Sequence, residues 1–307
     1  MKRFPVLFLV ICSAVFAAEA YAQGTDPTFY FDTDSLIAPS SSPRLLSRQF
    51  SFTEGASVDR KGNVFFTDQP NNKIWEYTVN GQLTLFLDSA GRSNGTYFDS
   101  KGNLVTCADE HDQLWSISPR KKITVLLTNF QGQRLNGPND LWIDPRGGIY
   151  FTDPYFQRPY WDRTHPEIKG EKVYYLPKGK AEAVVVDDDL VKPNGIVGTP
   201  DGNYLYVADA GANKIYKYRI SREGKLTGRQ LFVERGSDGA TLDERGNLYL
   251  TGNGVSVYNP SGKKIAQIPI PEKWTANLCF GGKDKNELFI TASEAIYILP
   301  MRVRGVE

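Results

Sequence analysis

Residues 54–68 read Glu54-Gly55-Ala56-Ser57-Val58-Asp59-Arg60-Lys61-Gly62-Asn63-Val64-Phe65-Phe66-Thr67-Asp68. A polar residue opens the stretch, a short segment follows, Asp-x-x-Gly turns the chain, and an apolar strand leaves the turn. Aspartate opens such a turn by bonding its own backbone, and glycine supplies the positive φ near its end. The phrase recurs. Asn94-Gly95 leads to Asp99 and Gly102-Asn103, then LVTCAD; Asn139-Asp140 leads to Asp144 and Gly147-Gly148, then IYFTD. Asn194-Gly195 leads to Asp201-Gly202-Asn203, then YLYVAD; Asp238-Gly239 leads to Asp243 and Gly246-Asn247, then LYLTG. A sixth copy is degenerate: Asn277-Leu278, then Lys285-Asn286 and ELFITA. From leading polar residue to turn glycine the offset is eight in the first five copies, and in the sixth that slot holds Lys285.

The copies start about 40 to 55 residues apart, the period of a propeller blade. Each continues into a third short strand, such as Lys73-Ile74-Trp75-Glu76-Tyr77 or Lys214-Ile215-Tyr216-Lys217-Tyr218. No amphipathic helical pattern interrupts them. Radial repetition of four-stranded sheets leaves only short, protected edges. The expected fold is therefore all-β, a six-bladed β-propeller over residues 44–307, closed by a strand near Arg44–Phe50 that completes the last blade. A β-sandwich does not account for the equal phasing.

Composition agrees with a globular chain of this kind. The 307 residues carry 36 Lys+Arg against 35 Asp+Glu, a net charge of +1, with 28 Gly, 16 Tyr and 17 Phe. Near-zero charge argues against a nucleic-acid partner. Two His and three Cys nearly exclude a zinc site built from several such ligands. Lys2-Arg3, the apolar run from Phe4 to about Ala18 and Ala20-Tyr21-Ala22 form a signal-peptide pattern over residues 1–22. Cleavage after Ala22 is expected, giving a periplasmic or secreted protein with no membrane segment, and an N-terminal extension over residues 23–43. Cys107 and Cys279 fall in strands of non-neighbouring repeats and read as two buried free thiols.

The leading residues Glu54, Asn94, Asn139, Asn194, Asp238 and Asn277 hold one repeat phase. Equal phase on innermost strands means equal height, so they are expected to converge around the axis. Two carboxylates with amide oxygens are hard-cation chemistry: calcium takes six to eight oxygens in irregular geometry, magnesium fewer with water. Without a cation, two converging carboxylates repel.

With these residues in hand, the chain from about Phe52 to Leu299 resembles the senescence marker protein (regucalcin), gluconolactonase and luciferin-regenerating enzyme family. The motifs that carry the resemblance include Thr53-Glu54-Gly55-Ala56, Leu135-Asn136-Gly137-Pro138-Asn139-Asp140 and Tyr150-Phe151-Thr152-Asp153-Pro154. Lys192-Pro193-Asn194-Gly195, Ser237-Asp238-Gly239, Gly254-Val255-x-Val257 and the run from Thr275 to Gly282 complete it. Each is weak singly; their order and spacing are specific, and look most like bacterial gluconolactonases. The resemblance implies one divalent metal in the channel, held by Glu54, Asn194 and Asp238, with Asn139 at or beside it. Calcium is the expected ion, with magnesium, manganese and zinc as alternatives. It further implies that the metal-bound Asp238 serves in acid–base catalysis.

The expected activity is hydrolysis of a sugar (aldono-) lactone such as gluconolactone by a carboxylic ester hydrolase. Asp238 is the base and Asn139 the partner of substrate hydroxyls. The alternatives are a related hydrolase of another ester or a phosphotriester, and a non-catalytic ligand-binding propeller. His111, after the second strand of blade two, is a candidate hydrogen-bond donor to substrate. The long blade-three insertion, Pro154 to Glu171, reads as a rim or lid, with Tyr155 placed to meet substrate beside Phe156, Tyr160 and Trp161. Gly91-Arg92-Ser93-Asn94-Gly95 spells a nucleophile elbow by letters, but a strand rather than a helix follows. Asp187-Asp188-Asp189 reads as a solvated turn rather than a calcium cluster. The oligomeric state stays open.

Overall fold

A computed structural model describes residues 33–307. The signal-peptide reading of residues 1–22, with its cleavage after Ala22, lies outside the described residues, as does Cys12. Six four-stranded antiparallel sheets follow one another along the chain, and the first strands of neighbouring sheets touch in a closed circle. The fold is a six-bladed β-propeller. Inner strands are Thr53–Val58, Ser93–Phe98, Leu141–Ile143, Pro193–Gly198, Ala240–Leu242 and Thr275–Gly281. Blade six mixes the two ends of the chain: Arg44–Ser47 pairs antiparallel with Ala295–Pro300 as its outer strand. Among the described residues no helix is long and apolar enough to cross a membrane.

The repeated turn forms as its chemistry dictates. Asp59 Oδ1 accepts the Lys61 and Asn63 amides at 2.8 and 2.9 Å, while Asn63 Nδ2 donates to Asp59 Oδ2 at 2.9 Å. Asp99 and Asp243 repeat this with Asn103 and Asn247. In blade four the turn opens on Thr199, whose carbonyl accepts the Gly202 amide at 2.8 Å. In blade six Lys285 adopts φ +53° where the other copies place glycine.

The core lies between blades, where the apolar faces of adjacent sheets meet. One cluster joins blades five and six through Tyr249, Val255, Leu278, Phe280 and Leu288. Leu36, within the stretch read as an N-terminal extension, is buried in that cluster, and Ile37 bridges Met301. Burying such a leucine stabilises by about 2 kcal/mol, so residues 33–37 act as part of the closure. Cys107 and Cys279 are free and buried, as read from their strands.

At the axis the blades interlock by backbone. A Cβ on Gly55, which has φ +49°, would lie 2.0 Å from the Asn94 carbonyl oxygen, and one on Gly195 2.5 Å from that of Asp238. Only glycine permits this approach. The glycines following the ring residues thereby set how closely neighbouring inner strands pack.

Candidate active site

Each ring residue sits where its inner strand begins, and the chain entering the strand is clamped. The aspartate ending the second strand of blade one, Asp68, accepts the Ser51 and Phe52 amides at 3.0 and 3.3 Å, just ahead of Glu54. Asp153 accepts the Asn136 and Gly137 amides at 2.9 and 2.8 Å, ahead of Asn139. Asp209 accepts the Val191 and Lys192 amides at 2.9 and 2.8 Å, ahead of Asn194. Blade five has Gly252 at this phase. There Thr251 and Ser237 exchange bonds, the Thr251 amide donating to Ser237 Oγ at 2.8 Å and the Gly239 amide to Thr251 Oγ1 at 2.7 Å. These clamps fix the ring residues in position before any side-chain contact is counted.

Five of the six ring residues, Glu54, Asn94, Asn139, Asn194 and Asp238, line one cavity of about 830 Å³. The sixth does not. Asn277 turns its Oδ1 back onto the Leu278 amide at 2.7 Å and serves its own strand. Asp238 is held at both oxygens: Asn194 Nδ2 donates to Oδ1 at 2.9 Å, and Trp274 Nε1 donates to Oδ2 at 2.6 Å. The Asn194 Oδ1 is buried and has no hydrogen-bond partner among the described residues. Glu54 is buried, and among the described residues its carboxylate accepts a hydrogen bond only from the Gly55 amide, at 3.3 Å.

Burial pushes the Glu54 carboxyl well above its ordinary range, and the charges of Asp238 and Asp140 add to the effect. Burial also raises Asp238, against the opposing pull of its Trp274 and Asn194 bonds and the Arg158 charge. An orphaned amide oxygen on the residue that bonds Asp238, sharing a cavity with two carboxylates that burial makes reluctant to ionise, is a donor set suited to a hard divalent cation. Among the described residues no three His, Cys, Asp or Glu side chains cluster, so such a cation would depend on amide oxygens as well as carboxylates.

The remaining candidates divide. Asn139 lines the cavity, and its side chain makes no hydrogen bond among the described residues. His111 does not line the cavity: its ring stacks on Trp115 at 5.1 Å between centroids, Nε2 lies 4.0 Å from Glu110, and the side chain is 48% exposed. It ends the 3-10 turn Asp109–His111, which carries it out to the surface. Tyr155 is likewise directed away from the cavity. Its ring packs on Trp161 at 5.6 Å and under the Arg163 guanidinium at 5.3 Å, and its hydroxyl donates to Gln157. Ser93 lies on an inner strand with its hydroxyl donating to Ala90 O at 2.6 Å, which leaves no nucleophile elbow. Asp187–Asp189 lies in the outer strand Val184–Leu190 rather than in a turn, where Asp187 and Asp189 meet Tyr218 and Arg229.

Several cavity residues escape the sequence reading. The blade-three insertion does reach the cavity, but through Phe156 and Arg158. Blade two anchors it. Asp109, 2% exposed, accepts from Arg158 Nε at 3.1 Å, Gln69 Nε2 at 3.2 Å and the Tyr160 hydroxyl, while Trp161 Nε1 donates to the Asp109 carbonyl at 2.8 Å. Farther out, Arg163 forms an ion pair with Asp112 at 2.6 Å. Asp109 is free to do this because Ala108 takes the strand position that Asp68 holds in blade one, as the pairings Ser93 with Ala108 and Thr53 with Asp68 show. The one-residue displacement is visible as LVTCAD against VFFTD and was the available signal. Trp274, Lys192 and Arg235 also line the cavity; no repeat phase marks them.

Comparison with known proteins agrees with this architecture. A gluconolactonase from Zymomonas mobilis is 26% identical over 295 residues, covering 86% of this chain and 82% of that protein. The structure of a gluconolactonase from Xanthomonas campestris superposes with a TM-score of 0.81 at 26% identity, covering 89% and 93% of the two chains. A calcium-binding regucalcin from Agrobacterium tumefaciens shares the fold, with a TM-score of 0.72 at 21% identity over 86% and 95%. Residues 52–294 match the family model of the SMP-30/gluconolactonase/LRE-like region, and the chain belongs to that family.

Proposed function

We propose that this protein is a lactonase that opens a sugar lactone, with a divalent cation held by Glu54, Asn194 and Asp238 and with Asn139 beside it. The observation that carries the reading is the buried Asn194 Oδ1, unpartnered among the described residues, in a large cavity that Glu54 and Asp238 also line. Kinship with gluconolactonases supports the substrate class, and the likeness to a calcium-binding regucalcin supports calcium as the first ion to test. When bound, the cation would supply Lewis-acid stabilisation of charge developing on the lactone carbonyl oxygen.

The protein's own groups do the rest. Asn194 Nδ2 and Trp274 Nε1 fix the plane of the Asp238 carboxylate. That orientation leaves Asp238 an ionised acceptor for a proton from water. Asp238 takes a proton from water as the water oxygen bonds to the acyl carbon. The bond from that carbon to the ring oxygen then breaks, and the proton passes to the ring oxygen as it leaves as a hydroxyl. Asn139, with no side-chain partner among the described residues, receives substrate hydroxyls. We also propose export to the periplasm or beyond, supported by the sequence of residues 1–22 and tested by mass spectrometry for a mature N-terminus at Gln23.

The test is a panel of aldonolactones assayed after chelation and after adding back calcium, magnesium, manganese or zinc. Turnover that disappears on chelation and returns with a cation is expected. No turnover of any lactone with any cation would refute the activity, and full turnover by stripped protein would refute the metal's role.

A further inference from the structure

Three cationic side chains line the cavity: Arg158, Lys192 and Arg235. Two are matched. Arg158 lies 3.1 Å from Asp109, and Lys192 lies 3.5 Å from Glu171. Arg235 is not: among the described residues it forms no ion pair with a carboxylate, its only hydrogen bond runs from Nη2 to the Thr251 carbonyl at 3.2 Å, and its Nε is buried without a partner. Burial lowers its pKa, which registers the cost of holding a charge there, and its positive charge in turn lowers that of Lys264. A guanidinium has five N–H donors and no way to deprotonate in a protein, so a site that strands it is poised for an acceptor from outside.

The geometry says where that acceptor sits. Trp274 stands next to both Asp238 and Arg235. Its Nε1 bonds Asp238, while its Cη2 edge and the Arg235 Nη2 flank Gly252, 3.8 and 3.4 Å from where a Cβ would stand there. The indole is 44% exposed and borders the cavity. An apolar face of this kind suits the C–H face of a sugar ring. A ring lying on it with its carbonyl carbon at Asp238 directs the substituent on its far side toward Arg235. The fork of a guanidinium matches the two oxygens of a carboxylate or phosphate.

We propose that the substrate is an anionic sugar lactone, one with an oxyanion group across the ring from the scissile carbonyl, and that Arg235 is the specificity residue that receives it. This rests on the lactonase reading above. It assigns a sugar-acid lactone where a neutral aldonolactone would leave Arg235 unpaired.

Two measurements test it. In the first, equilibrium binding to the metal-loaded protein is read by calorimetry with inert ring probes: methyl β-D-glucuronide and glucose 6-phosphate against methyl β-D-glucoside. At least one anionic probe is expected to bind about ten- to hundredfold more tightly than the neutral one, the range for a charge-assisted hydrogen bond. The margin should shrink as salt rises, and whichever anion gains identifies the oxyanion. In the second, kcat/KM is compared for glucaro-1,4-lactone and glucono-1,5-lactone in the wild type and in Arg235→Gln and Arg235→Lys. The anionic-to-neutral ratio should fall about tenfold or more in Arg235→Gln and recover in part in Arg235→Lys. Equal binding of all three probes by the wild type would overturn the inference whether or not the variants fold. Equal turnover of the two lactones alongside it would leave the lactonase reading standing. Selective binding of an anionic probe with no lactone turned over would uphold the anion site and remove the lactonase reading.

Discussion

Asp238→Asn separates the two roles assigned to Asp238. In the wild type each carboxylate oxygen accepts one N–H, from Asn194 at 2.9 Å and from Trp274 at 2.6 Å. An asparagine offers one acceptor oxygen and one amide group, so one of those donors then faces a donor. The conflict falls on the half-exposed Trp274, which can turn to water, and the expected loss of stability is about 1 kcal/mol rather than the ~3 kcal/mol of a stranded buried group. One carbonyl oxygen is still available to a cation. Neutral amide nitrogen cannot accept the proton of the attacking water, and general-base help is worth roughly a hundredfold to ten-thousandfold in rate. Measured by calorimetric metal titration and by initial rates at saturating cation, Asp238→Asn should bind metal yet turn over at least about a hundredfold more slowly. Asp238→Ala should lose both. Asn277→Ala is the control, because Asn277 shares the repeat phase but caps the Leu278 amide. It should lose about 1 kcal/mol of stability with turnover kept. A metal-saturated Asp238→Asn protein with near wild-type turnover would show that Asp238 is a ligand only.

Asp109→Asn weakens the anchor that Arg158, Gln69 and Tyr160 share; KM should rise about tenfold or more with metal affinity kept, and unchanged kinetics on every substrate would rule out a role for the insertion in substrate binding. Burial raises Asp140 and Asp153 to about 7. The folded chain therefore holds more protons than the unfolded chain between about pH 4 and 7, and metal-free stability should fall across that window as pH rises, by up to about 1.4 kcal/mol per pH unit per group. Thermal unfolding at pH 5.5 and 8 checks the sign; a higher Tm at pH 8 in chelator would contradict it. Burial also pushes the Cys107 and Cys279 thiols well up. Neither should react with a thiol reagent until the protein unfolds, and rapid labelling of the native protein would show that the strands open.

Much of this molecule could be read from its period. Asp59, Asp99, Asp144 and Asp243 each open a turn with their own backbone bonds, a local interaction that local sequence can specify. The inner-strand phase followed from those turns, and with it the convergence of Glu54, Asn94, Asn139, Asn194 and Asp238 on one cavity. Asn277 shares the phase yet turns away, because its side-chain oxygen can satisfy the adjacent Leu278 amide instead of facing the axis. Phase sets where a Cα stands and leaves the rotamer to its neighbours.

The blade-three insertion shows the other side. Its length and aromatic content marked it as functional, but which side chains face the cavity depends on Asp109, some fifty residues earlier in the chain. Tyr160 and Trp161 are drawn to that carboxylate and its carbonyl; Phe156 and Arg158 are left facing the cavity, and Tyr155 packs on Arg163. His111, beside Asp109 in sequence, is carried outward by a single 3-10 turn.

The sequence by itself determined the repeat, the blade count and the height of the polar ring, because each copy depends on a turn and alternation within about fifteen residues, and the closing strand followed from the one strand that the last blade still lacked. Only the tertiary structure decided that Trp274 orients Asp238, that Asp109 anchors the insertion and that Arg235 lines the cavity with no carboxylate partner among the described residues. Those facts arise between blades, where groups distant in sequence meet in a partly dry interior, and the energy of each contact depends on burial and on partners that no local pattern records.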